Sequence, residues 1–484
     1  MIIVSITGPD MNAALAQITA SSGYADMFEF RLDLISGLNL SALMNSAQTP
    51  VIATCRPAWE GGSFTGSEVE RVNMLISASV LGADFVDLEL HAQRAIREEF
   101  LRRRGDSQVI ISHHVPADKD FNVKSLYHRL RETGADVVKM AFTATDASDN
   151  RKAIEFLTLA GADKQAAIAI AMGEAGEPSR VLYRKFGGWA TYASSENGAG
   201  SAPGQIPASM MKKVYRTHTI TTRTKIYGVI GNPLKQSKGI FVHNEMFRRA
   251  EVNAVYCRFV VVDLPKFMRD IAPILQGFSV TTPHKQDILF QLERLEPAAR
   301  KIGAVNTVVR RSGILTGSNS DADAALDAIE TVEPVKGKTM LVIGSGGAAR
   351  AIVYEALRRD AHVVLANRTA EKAQRLAQEF RARTVAMEEI DSLKFDILVN
   401  ATSIGMVPNV DATPVPPEIL RGKIVFDAVY NPPMTRLLTE ATAAGATVIS
   451  GVEMYLNQAA KQAALFSGKR PDPVVMRRIL LTHL

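Results

Sequence analysis

Through the first 215 residues, apolar positions fall into short runs of six to eight residues, divided by stretches with apolar residues three and four apart. The runs are IIVSIT (2–7), MFEFRLDL (27–34), VIATCR (51–56), FVDLEL (85–90), VIISHH (109–114), DVVKMA (136–141), AAIAIAM (166–172) and WATYAS (189–194). Runs of this length with β-branched residues predict strands, and the stretches between them, such as 67–82 and 148–161, predict helices. Gly82, Gly134 and Gly161 stand where helices should end. Eight strand-then-helix units in succession predict a closed (β/α)8 TIM barrel over 1–215. An open doubly wound sheet is the alternative, but it rarely uses eight consecutive units.

The pattern breaks at RTHTITTRT (216–224), which is polar and lacks core periodicity, so a linker is expected there. A second α/β pattern starts at KIYGVIG (225–231), and another shift comes at VEPVKGK (332–338). This predicts a two-domain module, 225–330 followed by a nucleotide-binding Rossmann domain over 331–449.

Composition narrows the class. The chain has 484 residues, 46% hydrophobic and 22% charged, with a net charge of +6. The basic residues are scattered and not interleaved with aromatics, which suits small anionic ligands better than nucleic acid. Two distant cysteines, Cys55 and Cys257, allow no disulfide framework. The chain opens on a strand and has no apolar run near the ~20 residues a membrane span needs. A cytoplasmic protein without membrane partners is expected, as a monomer or homo-oligomer.

Within GADVVKMA (134–141), Lys139 interrupts a buried-looking strand. Its head either snorkels to the surface from an edge strand or is buried as a nucleophile with a lowered pKa. Other polar residues near the C-terminal ends of the barrel strands favour a site: Glu29, Arg31, Arg56, Glu60, Asp87, Glu89, Ser112, His113, His114, Arg180 and the SAPGQ segment (201–205). A lysine there can form an imine with a ketone, and a histidine can move the acidified proton. A metal site from His113, His114 and the acids is the rival. Nearby cations oppose it, and adjacent strand histidines should point to opposite faces; no metal is expected. FEFRLDL, TCRPAWEGG, the S-x-H of ISHH, ADVVKMA, MGEAGEPSR and SAPGQ, in this order, closely resemble type I 3-dehydroquinate dehydratase. The resemblance implies Lys139 as the Schiff-base residue, His114 as acid/base and Glu60 as its orienting partner. It also implies Arg180, Ser201, Gln205, Glu29, Arg31 and Arg56 as the substrate pocket. HHVP departs from the family, which more often has an acid or amide after the histidine.

LVIGSGGAARA (341–351) is a strand, a glycine-rich turn and a helix start, with Gly344, Gly346 and Ala349 fitting G-x-G-x-x-G/A. AHVVLANRT (361–369) supplies the next strand. It ends on Asn367 and Arg368, where an NAD site would want an acid, so NADP is expected. DILVNATSIGM (396–406) supplies a third strand with a polar tip. Lys285 in SVTTPHK and Asp321 in GSNSD can shuttle the proton of an alcohol–ketone interconversion, although a surface ion pair is the commoner fate of such residues. With GAVNT, VFDAVYNPP (425–433) and GVEMYLNQAAKQ (451–462), these motifs resemble shikimate dehydrogenase across 225–484. That implies Lys285 and Asp321 as catalytic, and Ser237, Thr281, Asn306, Tyr430 and Gln458 as substrate ligands. It adds Gly347, Ala348, Thr369, Thr402 and Gly451 to the cofactor site, and implies that 450–484 folds back onto the substrate domain 225–330. The two halves would run consecutive steps, dehydroquinate to dehydroshikimate to shikimate.

One stretch departs. The family's H-S-x-S-P is here Gln236-Ser237-Lys238-Gly239-Ile240. Losing one serine hydroxyl should weaken the grip on a carboxylate by about 1–3 kcal/mol if nothing replaces it. Gly239 should also leave room for the extra hydroxyl of quinate, which makes quinate the second candidate substrate. In GSNSD, Ser320 replaces the usual Thr, with little effect expected. A regulatory protein built from inactive copies is disfavoured, since Lys139, His114, Lys285 and Asp321 are all present.

Overall fold

The computed structural model describes residues 1–117, 119–198 and 200–484. The chain divides into two compact units, Met1–Lys225 with Asn253–Ile274, and Ile226–Val252 with Leu275–Leu484. The segment 253–274, which the sequence pattern groups with the second half, therefore clusters with the first.

The first unit is built on β1 (Ile2–Ile6), β2 (Met27–Arg31), β3 (Val51–Thr54), β4 (Phe85–Glu89), β5 (Gln108–His114), β6 (Val137–Thr143), β7 (Ala166–Met172) and β8 (Thr191–Ser194). They form one sheet in the order β7-β6-β5-β4-β3-β2-β1-β8. At the remaining seam, Trp189 N donates to Ala167 O at 2.9 Å, so the barrel is nearly closed. Side chains alternate along each strand. Ile3, Met27, Ile52, Phe85, Ile110 and Val137 thus share one apolar layer inside the barrel. Trp189 packs its indole against Phe85 at a tilt of 57°, 5.1 Å between ring centres.

Local chemistry sets the helix ends. Glu68–Val80 starts at a capping box in which Ser67 and Glu70 satisfy each other's backbone N–H groups. Gly82 and Gly134 take positive φ as expected. Gly161 does not end its helix, which runs Asn150–Ala162; Lys164 takes the left-handed turn instead. Nor is 216–224 a loose tether. Thr217 is buried, Lys185 Nζ donates to Thr222 O and Thr224 O at 3.0 and 2.8 Å, and Arg184 Nη1 donates to His218 O at 3.0 Å.

In the second unit, strands Lys225–Gly231, Gly277–Val280, Thr307–Arg311, Ile314–Ser318 and Arg294–Leu295 are neighbours in one mixed sheet. The other sheet is parallel, in the order Arg383–Thr384, His362–Ala366, Thr339–Ile343, Ile397–Asn400, Ile424–Asp427, Thr447–Ser450. Its strands are apolar on both faces: Met340 and Val342 join one core cluster, Leu341 and Ile343 another. That is the signature of a Rossmann sheet covered by helices on both sides. The helix Gly451–Ser467 returns to the mixed sheet, where Gln462 Oε1 accepts from Ser279 Oγ at 2.7 Å and Gln462 Nε2 donates to Thr307 Oγ1 at 2.9 Å.

Candidate active sites

Two residues beyond the apolar layer of the barrel, the same alternation places Ser5, Glu29, Thr54, Asp87, Ser112 and Lys139. All are at most 4% exposed. Unpaired polar groups at this depth would cost several kcal/mol, and here they pair. Lys139 Nζ donates to Asp87 Oδ2 and to Tyr192 OH, both at 2.9 Å, and lies 3.7 Å from Glu29 Oε1. Ser5 and Thr54 donate to Glu29 at 2.8 and 3.1 Å, and Ser112 donates to Asp87 at 2.6 Å. So Lys139 is buried, not snorkelling, and the same strand-end layer that buries it brings two carboxylates to its amine.

The next layer holds the remaining charges. Arg56 bonds Glu89 at 2.6 Å and Asp87 at 3.0 Å, and Arg71 bonds Glu89 at 2.5 Å from the other side. Burial pushes the Asp87 carboxyl up, but Arg56, Lys139 and Ser112 hold it well below the usual carboxylate range. Glu89 is raised by burial to about 7 despite both arginines. His114 ends β5. Its backbone N–H donates to Glu60 Oε1 at 2.8 Å, and its Nδ1 lies 3.3 Å from the same oxygen. Removal from water and Arg56 lower its imidazole to about 4, against the pull of Glu60. Burial opposes ionisation of Glu60, yet His113, His114 and Arg56 bring it down to about 2. His113 is 3.7 Å from that oxygen too, so at the end of the strand the two adjacent histidines do reach one acid, contrary to the opposite-face expectation.

Arg180 is 1% exposed and, among the described residues, donates only to backbone oxygens, of Tyr192 and Pro203, at 3.3 Å each. With no carboxylate opposite, burial lowers it to about 10. A buried guanidinium in that state is a ready receptor for a substrate carboxylate. Arg31, by contrast, is held bidentately by Asp33 at 2.9 and 2.7 Å. Ser201 and Gln205 bond one another (Gln205 Nε2 to Ser201 Oγ, 3.1 Å) and not the lysine network. Sequence reasoning missed Tyr192 and Arg71. The first is one aromatic in a strand; the second is one arginine in a charged helix. Neither has a local signal.

In the second unit Lys285 Nζ bonds Asp321 Oδ2 at 2.5 Å, and Asn306 Nδ2 donates to Asp321 Oδ1 at 2.7 Å. Asn306 is itself fixed by Ser320 and Thr307. The pair is part-buried, not a solvated surface bridge. Ser237, Thr281, Tyr430 and Gln458 are half-buried. Gly239, buried, opens the helix Gly239–Arg249, while Gln236 accepts from Asn431 at 3.1 Å.

The glycine turn fits a dinucleotide. Gly344 has φ of 121°, and a Cβ there would sit 2.9 Å from Ala401 O. Gly346 caps the helix Gly347–Arg358 with no side-chain bond to its first amides, which leaves them for a phosphate. Ala348 and Ala349 lie in that first turn. A Cβ on Gly347 would come 3.0 Å from Lys285 Cβ, so this turn passes Lys285 closely. Arg368 and Thr369 are exposed just past the strand His362–Ala366, and Asn367 Nδ2 donates to Thr369 O at 2.9 Å. Thr402 is bonded to Asn400 Oδ1 at 2.7 Å. Gly451 admits no side chain, since a Cβ would meet Val429 O at 2.5 Å. The buried carboxyl of Asp427, raised by burial to about 6, links Asn400, Val429 and Thr435 behind these loops.

Comparison with known proteins agrees with both halves. The profile of type I 3-dehydroquinase matches residues 2–222, that of the shikimate dehydrogenase substrate binding domain 229–308, and that of shikimate / quinate 5-dehydrogenase 327–407. A chloroplastic bifunctional 3-dehydroquinate dehydratase/shikimate dehydrogenase of Arabidopsis thaliana is 37% identical over 474 residues, 92% of this chain and 78% of that one. The NADP(+) shikimate dehydrogenase of Pyrococcus furiosus is 39% identical over 273 residues, 55% of this chain and 98% of its own. The crystal structure of Thermus thermophilus shikimate 5-dehydrogenase with NADP(H) and shikimate superposes with a TM-score of 0.50 at 33% identity, covering 54% of this chain and all of that one. The chain therefore belongs to the family of bifunctional 3-dehydroquinate dehydratase/shikimate dehydrogenases.

Proposed function

We propose that the barrel dehydrates 3-dehydroquinate to 3-dehydroshikimate through an imine on Lys139, and that the second unit reduces this ketone to shikimate with NADPH. The observation that carries the first step is a buried amine on β6 beside a partly buried imidazole at the end of β5. Arg180 takes the substrate carboxylate. The free amine of Lys139 adds to the ketone, and water leaves to give the imine. His114, oriented by Glu60, removes a proton from the carbon next to the imine and returns it to the departing hydroxyl. Hydrolysis of the imine releases product and restores Lys139. Glu29, Arg31, Arg56, Ser201 and Gln205 bind the rest of the ring.

In the second unit NADPH supplies the hydride. Lys285 gives the proton that the new alcohol oxygen requires, with Asp321 holding the amine in place, and Asn306, Ser237, Thr281, Tyr430 and Gln458 orient the ring. The free amides after Gly346 receive the pyrophosphate and Arg368 the 2′-phosphate. Gly239 supports quinate as a second substrate, through the lost hydroxyl. A shikimate-to-quinate ratio of kcat/KM well above one is expected, and equal turnover overturns that order. Two free, buried cysteines suit a reducing compartment, and we place the chain in the cytoplasm. No helix among the described residues is long and apolar enough to cross a membrane.

Borohydride trapping tests the barrel chemistry. Reduction in the presence of 3-dehydroquinate should add the ligand's mass to the peptide bearing Lys139. An unmodified peptide in a turning-over enzyme sinks the imine.

A further inference from the structure

We infer a transition-metal site at the barrel mouth, formed by Glu60, His91 and His113, which captures Zn²⁺ and stops dehydration without touching reduction. One ligand atom from each residue lies within 4.8 Å of the other two. His113 stands on β5, Glu60 in the turn Ala58–Glu60 after β3, and His91 just past β4, so three neighbouring strand ends supply the set. The rings of His91 and His113 meet edge to face, 4.5 Å between centres.

Two of the donor atoms make no hydrogen bond, although His113 Nδ1 lies 3.7 Å from Glu60 Oε1. Glu60 Oε2 and His113 Nδ1 are buried with no hydrogen bond, and Glu60 is only 8% exposed. Buried polar atoms are nearly always satisfied, so two such atoms side by side mark a place built for something else. Two imidazoles and a carboxylate suit Zn²⁺, with a fourth position open, and do not suit Mg²⁺ or Ca²⁺. Bonds of about 2.0–2.2 Å need ligand atoms about 3.3 Å apart, a closure within reach of side-chain torsions because His91 is exposed. The cations that argue against a metal are already engaged: Arg56 with Asp87 and Glu89, Lys139 with Asp87. One cation does compete. Arg129 Nη2 lies 3.1 Å from His91 Nε2.

The effect on catalysis follows from Glu60. Its other oxygen, Oε1, is the one facing His114. A metal on Oε2 draws off the charge that orients and supports that imidazole. The inhibition, though not the binding, rests on the role of His114 and Glu60 proposed above.

The test uses the full chain with Zn²⁺ in equilibrium dialysis, alongside dehydration of 3-dehydroquinate and NADP⁺-dependent oxidation of shikimate. Wild type should bind zinc and lose dehydration while shikimate oxidation holds, with recovery on adding EDTA. His91→Ala should keep basal dehydration and raise the zinc dissociation constant at least about tenfold, the lower end of what even a lost outer partner costs. Arg129→Ala should tighten zinc. Equal zinc binding in wild type and His91→Ala overturns the site. Zinc bound through His91 with dehydration unslowed leaves the site standing and overturns the role given to Glu60 and His114.

Discussion

At the scale of single residues, the barrel site is a set of charges that balance only together. Glu89 is fully buried between Arg56 and Arg71, and Arg71 is itself buried. Arg71→Met leaves Glu89 and Glu68 without that partner. Breaking a buried pair from one side costs about 3–5 kcal/mol, so urea unfolding should show a loss of that size, and Arg71→Met with Glu89→Leu should recover much of it. A loss below about 1 kcal/mol speaks against the network. His114 gives a pH prediction. Its folded value of about 4 lies below the ordinary 6.5, so the ring stays a free base down to about pH 4. The acid limb of kcat/KM for dehydration should therefore fall near 4, whereas an unperturbed histidine would begin to fail near 6.5. The stability sign agrees. The unfolded chain takes up this proton first, so the contribution is complete above 6.5 and is lost as pH falls to about 4.

At the scale of elements, strand ends and the turns after them carry the chemistry. The turn after Thr339–Ile343 must bend at φ of 121° against the backbone of Ala401, which only Gly344 allows. Gly344→Ala should cost about 1–3 kcal/mol of local strain and raise the KM for NADPH in the shikimate reaction, with dehydration kinetics unchanged. An unaltered KM means the turn does not meet the cofactor. Elements also show where local pattern is a poor guide. Glycine is common at helix ends, yet the helix Asn150–Ala162 runs through Gly161, because Ala160 and Leu157 still face the core and keep the turn packed. The Thr-rich stretch 216–224 reads as free chain but is pinned by Lys185 and Arg184, two residues more than thirty positions away.

At the scale of the whole molecule, the residues proposed for each reaction fall within one compact unit, so the two activities should separate. Lys139→Ala should abolish NADPH oxidation driven by 3-dehydroquinate while leaving NADP⁺-dependent shikimate oxidation near wild type. Continued oxidation with 3-dehydroquinate means that the second unit reduces that compound itself. The fold class was determined by sequence alone, and so was the placing of Glu29, Asp87, Ser112 and Lys139 at one end of the barrel. A period of two along a barrel strand decides which side chains point inward, so the polar residues two positions past the apolar layer had to share one mouth. Likewise a glycine turn between strand and helix had to form an anion cradle. Only tertiary structure decided the partners: Asp87 against Lys139, Arg71 behind Glu89, His91 against His113, Gln462 on Ser279 and Thr307. These depend on rotamers and on contacts between residues far apart in the chain, and no local pattern encodes them.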